Sequence, residues 1–140
     1  MPTVLTSDAI TEERVLTFED GIPGFEASHR FVLVEVAEGS VFQLLQSLDE
    51  PDVALVVTVP WLFFPDYAPE LSELERRSLG IERPEDAIVF CAVTLDAEHE
   101  TIYLNLLAPF VVHVGTRRGR QVILTDSGYP VRAPVRMVAV

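Results

Sequence analysis

Apolar residues recur along this chain in short runs. Clusters of Gly, Pro, Asp and Ser interrupt them about every ten residues, the spacing of an antiparallel barrel or sandwich. Residues 14–18 alternate well enough to predict a first strand. In Gly21-Ile22-Pro23-Gly24 the glycines and proline force a turn, which carries Ile22 and Phe25 into the core. Further strands are predicted over residues 30–36, 41–47 and 54–59, with turns at 38–40 and 49–52 and a stop at Pro60.

The rhythm breaks at Trp61. Residues 61–71 (W-L-F-F-P-D-Y-A-P-E-L) are dense in aromatics and hold two prolines, which argues against both a helix and a regular strand. Residues 72–79 predict the one helix, with Leu71, Leu74 and Leu79 compatible with a single face and Gly80 as its stop. A polar link over 81–86 leads to a strand at 88–94 and a turn at 96–100. Residues 102–114 (I-Y-L-N-L-L-A-P-F-V-V-H-V) are apolar on both parities, as in a strand buried on both sides. Pro109 cannot donate to a ladder, so a bend or bulge is expected there. A basic turn at 116–120, a strand at 121–124 and a turn at 126–130 follow, and residues 1–11 and 133–140 read as loose ends. The expected fold is mostly β: a single antiparallel barrel-like domain over residues 1–140, with one short helical insertion at about residues 70–79.

Composition changes this picture in two ways. At 140 residues and 49% hydrophobic, the chain can bury a core without metal or disulfide. Cys91, the single cysteine, lies in an apolar strand candidate and reads as a small buried residue. The net charge is −12, every basic residue is Arg, and residues 101–140 hold five arginines against Asp126 alone. The acid is therefore concentrated in the first hundred residues. Such a surface repels nucleic acid; it either serves solubility alone or steers a basic protein partner. With no leader-like start and no apolar run long enough to span a membrane, a soluble cytoplasmic protein is expected.

Catalytic chemistry finds little support. His29, His99 and His113 are far apart in the chain, Cys91 has no neighbouring His, and no metal-ligand spacing occurs. Ser47 and Ser127 lack the nucleophile elbow. The Gly21–Gly24 turn lacks a phosphate-cradle pattern, no Lys follows it, and its flanks are acidic. Catalytic residues, cofactor and metal are all expected to be absent. Gln43, Gln46 and Asn105 lie in or beside apolar strands. They either satisfy backbone groups at a bend or mark an edge where a partner docks. A small-ligand-binding β-barrel or unrecognised enzyme stays open as the alternative; it requires Asn105, Gln46 and His113 to line one pocket.

Several blocks in fixed order resemble the bacterial flagellar assembly factor FliW family. They are F-x-x-G-I-P-G-F-E (18–26), F-Q-L-L-Q-S (42–47), L-F-F-P-D-Y-x-x-E-L (62–71), N-L-L-A-P (105–109) and Q-V-I-L (121–124). The chain departs from that pattern at Val59-Pro60, Trp61 and Val112-His113. The resemblance implies a non-enzymatic, cytoplasmic, barrel-like protein that binds flagellin. When free, it binds the RNA-binding translational regulator CsrA and relieves repression of flagellin translation. On charge and aromatic content, Asp66, Tyr67, Glu70, Glu73 and Glu75 are the candidate CsrA-contacting residues. An apolar groove is expected for the amphipathic helical ends of flagellin.

Overall fold

The computed structural model describes residues 14–136. Among these residues nine strands form one antiparallel sheet: β1 (Leu16–Thr17), β2 (Arg30–Glu35), β3 (Phe42–Ser47), β4 (Ala54–Thr58), β5 (Ala87–Asp96), β6 (Thr101–Leu104), β7 (Phe110–His113), β8 (Gly119–Gln121) and β9 (Ala133–Arg136). Among the described residues the one α-helix, α1 (Glu73–Leu79), lies between β4 and β5. Strands β2, β3 and β4 form a meander in which Leu33, Leu45 and Leu55 are directly opposite one another, as are Val34, Leu44 and Val56. Side chains alternate faces along a strand, so these two rows lie on opposite sides of the sheet.

The ten-residue β5 is the spine. Its middle pairs with β4 (Val57↔Ala92, Thr58↔Cys91), its first half with β7 and its second half with β6. β8 extends from β7, and β9 from β6. The sheet curls until its ends meet. Thr17 bridges to Arg118, and the Thr17 N–H donates to the Arg117 carbonyl at 2.9 Å. Inside the curl pack Leu16, Phe18, Phe31, Leu45, Val57, Phe90, Phe110 and Val112. Phe18 meets Phe31 and Phe110 edge-on at 5.5 and 5.9 Å, a favoured aromatic geometry. Gly119 is required at this closure: a Cβ there would lie 2.9 Å from the Val111 carbonyl oxygen and 3.1 Å from the Phe18 ring.

A second core lies on the other side of β5 and β7. Cys91 and Val111 alternate with Phe90, Phe110 and Val112 and pack with Tyr67, Leu79, Ile81, Ile102, Leu104, Leu106, Val122, Leu124 and Ala133. This explains why the run over 102–114 is apolar on both parities. It is two strands, however, and both pair antiparallel with β5. Between Leu104↔Val93 and Phe110↔Phe90, residues 105–109 stand opposite only Cys91 and Ala92. The surplus residues loop out, and Pro109 at the loop's end has no N–H to lose.

Three further expectations need correction. The strand expected over 121–124 is β8, Gly119–Gln121. Beyond it, Val122 and Leu124 donate to the carbonyls of Pro109 and Leu107, following the irregular loop instead of a ladder. The expected loose end at 133–140 holds β9, whose Ala133–Arg136 pairs with all four residues of β6; residues 137–140, like 1–11, lie outside the described residues. Leu74 does not share a buried face with Leu79. It is 77% exposed, because five residues of helix turn the two side chains about 140° apart. Smaller shifts in boundary occur too: β1 is shorter than residues 14–18, and β5 is longer than 88–94.

The short α1 depends on its ends. Ser72 and Glu75 form a capping box, and Gly80, at φ 71°, donates back to the Arg76 and Arg77 carbonyls. Polar side chains lock other turns. The Ser47 hydroxyl accepts the Asp49 and Glu50 N–H groups and donates to Ser28 at 2.8 Å, and Ser28 donates to Glu50. The Asp49 carboxylate accepts the His29 and Arg30 N–H groups at 2.7 and 2.9 Å, and these bonds hold it below the ordinary value of 3.8. Backbone donors likewise lower Glu26 and Asp86, and His99 lowers Asp96.

A carboxylate whose folded pKa is depressed contributes its full stability above the unfolded pKa. It loses that contribution as pH falls through the lower folded value. Asp49→Asn is therefore expected to be less stable than the parent at neutral pH, with the difference closing as pH falls through about 4 and below. Urea denaturation across that range checks this; a pH-independent difference contradicts it.

Candidate binding groove

The aromatic insertion owes its shape to hydrogen bonds from aromatic side chains, since its prolines deny it a ladder. Pro60–Leu62 form a single 3-10 turn. Trp61 Nε1 donates to the Tyr67 carbonyl at 2.7 Å, closing the insertion on itself. Tyr67 is buried, and its hydroxyl donates to the Leu106 carbonyl at 2.6 Å. That carbonyl belongs to the irregular loop of residues 105–109, so the insertion is anchored to the loop that splits β6 from β7. The Tyr129 hydroxyl accepts the Ala68 N–H at 2.9 Å, and its ring meets Tyr67 edge-on at 4.7 Å. Phe63 stacks on Phe42 of β3.

Between this insertion, the segment 81–84 and the outer side of β5 and β7 runs an open groove of about 630 Å³. Its floor and walls are apolar: Trp61, Tyr67, Pro69, Leu71, Ile81, Pro84, Ala87, Val89 and Val111. Glu70, Arg76, Glu82 and Arg83 also line it. Apolar walls with a few charged groups suit the apolar face of a helix or an extended peptide.

The sequence-predicted contact residues divide. Tyr67 and Glu70 line the groove, whereas Asp66, Glu73 and Glu75 do not. The Tyr67 ring is only 5% exposed, so it supports the groove wall more than it presents itself to a partner. Asp66, Glu70 and Glu73 are exposed, with Glu73 paired to Arg77 at 2.7 Å. Glu75 is committed to capping Ser72. Ile81, Val89 and Val111 were missed as groove residues. For Val89 and Val111 the only signal was apolar character on both parities of a strand, which cannot say what covers the second face, and Ile81, in the link after the helix, carried none.

The polar groups considered for chemistry are engaged locally. Gln46 Nε2 lies within donating distance of the Ser47, Pro51 and Val53 carbonyls. Asn105 Oδ1 accepts the Ala108 N–H, and His113 Nδ1 accepts the Gly115 and Thr116 N–H groups. None of the three lines the groove, which removes the arrangement the small-ligand alternative required. Among the described residues no group of three or more His, Cys, Asp or Glu is placed to hold a metal ion. Burial pushes the Cys91 thiol up to about 12, and burial likewise raises the Tyr67 phenol. Cys91 is thus a core residue, as the sequence predicts.

Replacing Tyr67 with Phe leaves the Leu106 carbonyl without its donor. We expect a loss of about 1–3 kcal/mol in urea denaturation, with altered emission from Trp61 beside it. An unchanged midpoint contradicts the anchoring role.

Comparison with known proteins is consistent across sequence and structure. The family model described as FliW protein matches residues 3–135. The flagellar assembly factor FliW of Clostridium beijerinckii is 39% identical over 124 residues, covering 89% of this chain and 88% of that protein. That of an Exiguobacterium species is 45% identical over 126 residues, covering 90% and 86%. A crystal structure of the flagellar assembly factor FliW aligns with a TM-score of 0.81 at 32% identity, covering 93% of this chain and 89% of that one.

Proposed function

The chain belongs to the FliW family of flagellar assembly factors, and from that premise we propose that it is a non-enzymatic regulatory binding protein of the bacterial cytoplasm. In this reading it binds flagellin. When free of flagellin it binds and antagonises CsrA, relieving repression of flagellin translation during assembly. The groove is the observation that carries the reading: an open, largely apolar channel beside exposed carboxylates on an acidic protein. Its apolar walls suit the hydrophobic face of a flagellin terminal helix. Asp66, Glu70 and Glu73 are the exposed members of the CsrA-facing set, and their charge would speed encounter with a basic RNA-binding protein. Tyr67 and Glu75 hold those carboxylates in place, one by anchoring the insertion and the other by capping α1.

Capture of purified flagellin and purified CsrA by the immobilised protein tests the reading. Each is expected to bind at about micromolar concentration in low salt, and capture of neither overturns it. The charge argument has its own test. Glu70→Lys with Glu73→Lys is expected to slow CsrA association several-fold in low salt, with the difference shrinking as salt rises. An on-rate that neither substitution nor salt changes refutes electrostatic steering by this rim.

A further inference from the structure

The floor of the groove contains a stretch of strand edge. The Val114 N–H donates to the Asp86 carbonyl and the Asn105 N–H to the Ala92 carbonyl, so Asp86 and Ala92 turn their backbone groups toward β7 and β6. These directions alternate from residue to residue along a strand. Ile88 and Phe90 therefore exchange ladder bonds with Val112 and Phe110, whereas Ala87, Val89 and Cys91 turn theirs toward β4. The Ala87 N–H obeys this pattern: it leaves the sheet and donates to the Pro84 carbonyl.

Of these three residues β4 meets only Cys91. Its pairing ends at Thr58↔Cys91, and continuing the register would set Pro60 opposite Val89. Pro60 has no N–H, and its carbonyl is taken by the Phe63 and Phe64 N–H groups at 3.0 and 2.9 Å. Among the described residues no strand therefore bonds the Val89 N–H, the Val89 carbonyl or the Ala87 carbonyl. Both residues are half-buried and line the groove. An occupant that displaces water from this floor must supply one acceptor and two donors, or leave three polar groups unpaired.

The backbone of a helix cannot supply them, because its own groups are bonded internally. An extended chain can. In an antiparallel pair the residue opposite Val89 exchanges both bonds, and the residue opposite Ala87 donates one more. Glu70 and Glu82 balance Arg76 and Arg83 around the groove, so the complementary stretch carries no net charge. In a second copy of this chain the same edge is recessed in its own groove, and two recessed edges do not meet.

We propose that residues 87–89 of β5 are a docking edge, to which a partner protein adds an extended, uncharged, largely apolar stretch of about three residues as a short strand. The proposal rests on the groove being a protein-binding site, and it adds this extended stretch to the helix placed along the groove walls.

Amide exchange followed by NMR tests it with and without a ligand. In the free protein the Val89 amide is expected to exchange at least about tenfold faster than those of Ile88 and Phe90. The probe ligand is a capped hexapeptide of alternating Val and Thr. It is expected to bind at about 1 mM or below and to slow exchange at Val89. The same peptide N-methylated at every residue is expected to bind at least about tenfold more weakly, as is the parent peptide to Ala68→Trp, which narrows the groove. Three results overturn the proposal: a Val89 amide as protected as its neighbours in the free protein, unchanged Val89 exchange at about 1 mM hexapeptide, or equal binding of the N-methylated peptide. If flagellin is captured and any of these is found, the groove reading stands without the docking edge. If flagellin is not captured but the hexapeptide protects Val89, the edge stands and flagellin is not its partner.

Discussion

Everything in this molecule depends on β5 being covered on both faces. A strand in the middle of a sheet offers two rows of side chains, and an apolar chain leaves neither to water. Here Phe90 and Ala92 face the inside of the curl, whereas Val89, Cys91 and Val93 face outward. The inward row is satisfied by the sheet closing on itself around four phenylalanines. The outward row has no second sheet to meet, and the chain covers it with the aromatic insertion, α1, β6, β9 and residues 122–124.

That requirement accounts for the groove. The insertion cannot form a ladder, so it covers the outer face through discrete anchors: Trp61 to the Tyr67 carbonyl, Tyr67 to Leu106, and Tyr129 to Ala68. Anchors at points leave space between them, and Val89, Val111 and Ala87 of β5 and β7 form its floor. Helix α1 adds little burial of its own, with Leu79 its one buried residue, and leans on its capping box and Gly80 stop. A two-turn helix is not stable by propensity alone, so its position follows from the core beneath it. The carboxylates on α1 and on the insertion are therefore displayed by a scaffold whose buried side they do not touch.

Much of the architecture was legible in the chain. The meander of β2, β3 and β4, the turn from Gly21 to Gly24, the stop at Gly80 and the buried character of Cys91 follow from period-two alternation and turn chemistry, which are local. The F-x-x-G-I-P-G-F-E and L-F-F-P-D-Y blocks pointed to the family for the same reason. They mark a turn and an insertion whose residue types the backbone demands at those places.

What the sequence alone determined, then, is the β class, the concentration of acid in the first hundred residues, the helix with its Gly80 stop, and the need to bury both parities of residues 102–114. What only the tertiary structure decided is which segments meet across the fold. It split that run into β6 and β7 because five residues stand opposite two. It recruited Ala133–Arg136 to β6 and turned Leu74 to solvent. It also assembled the groove from residues 61–71, the segment 81–84 and the outer rows of β5 and β7. Propensity and periodicity act over a few residues. Which surface covers an exposed apolar row is settled by packing among segments distant in sequence, and no local pattern records it.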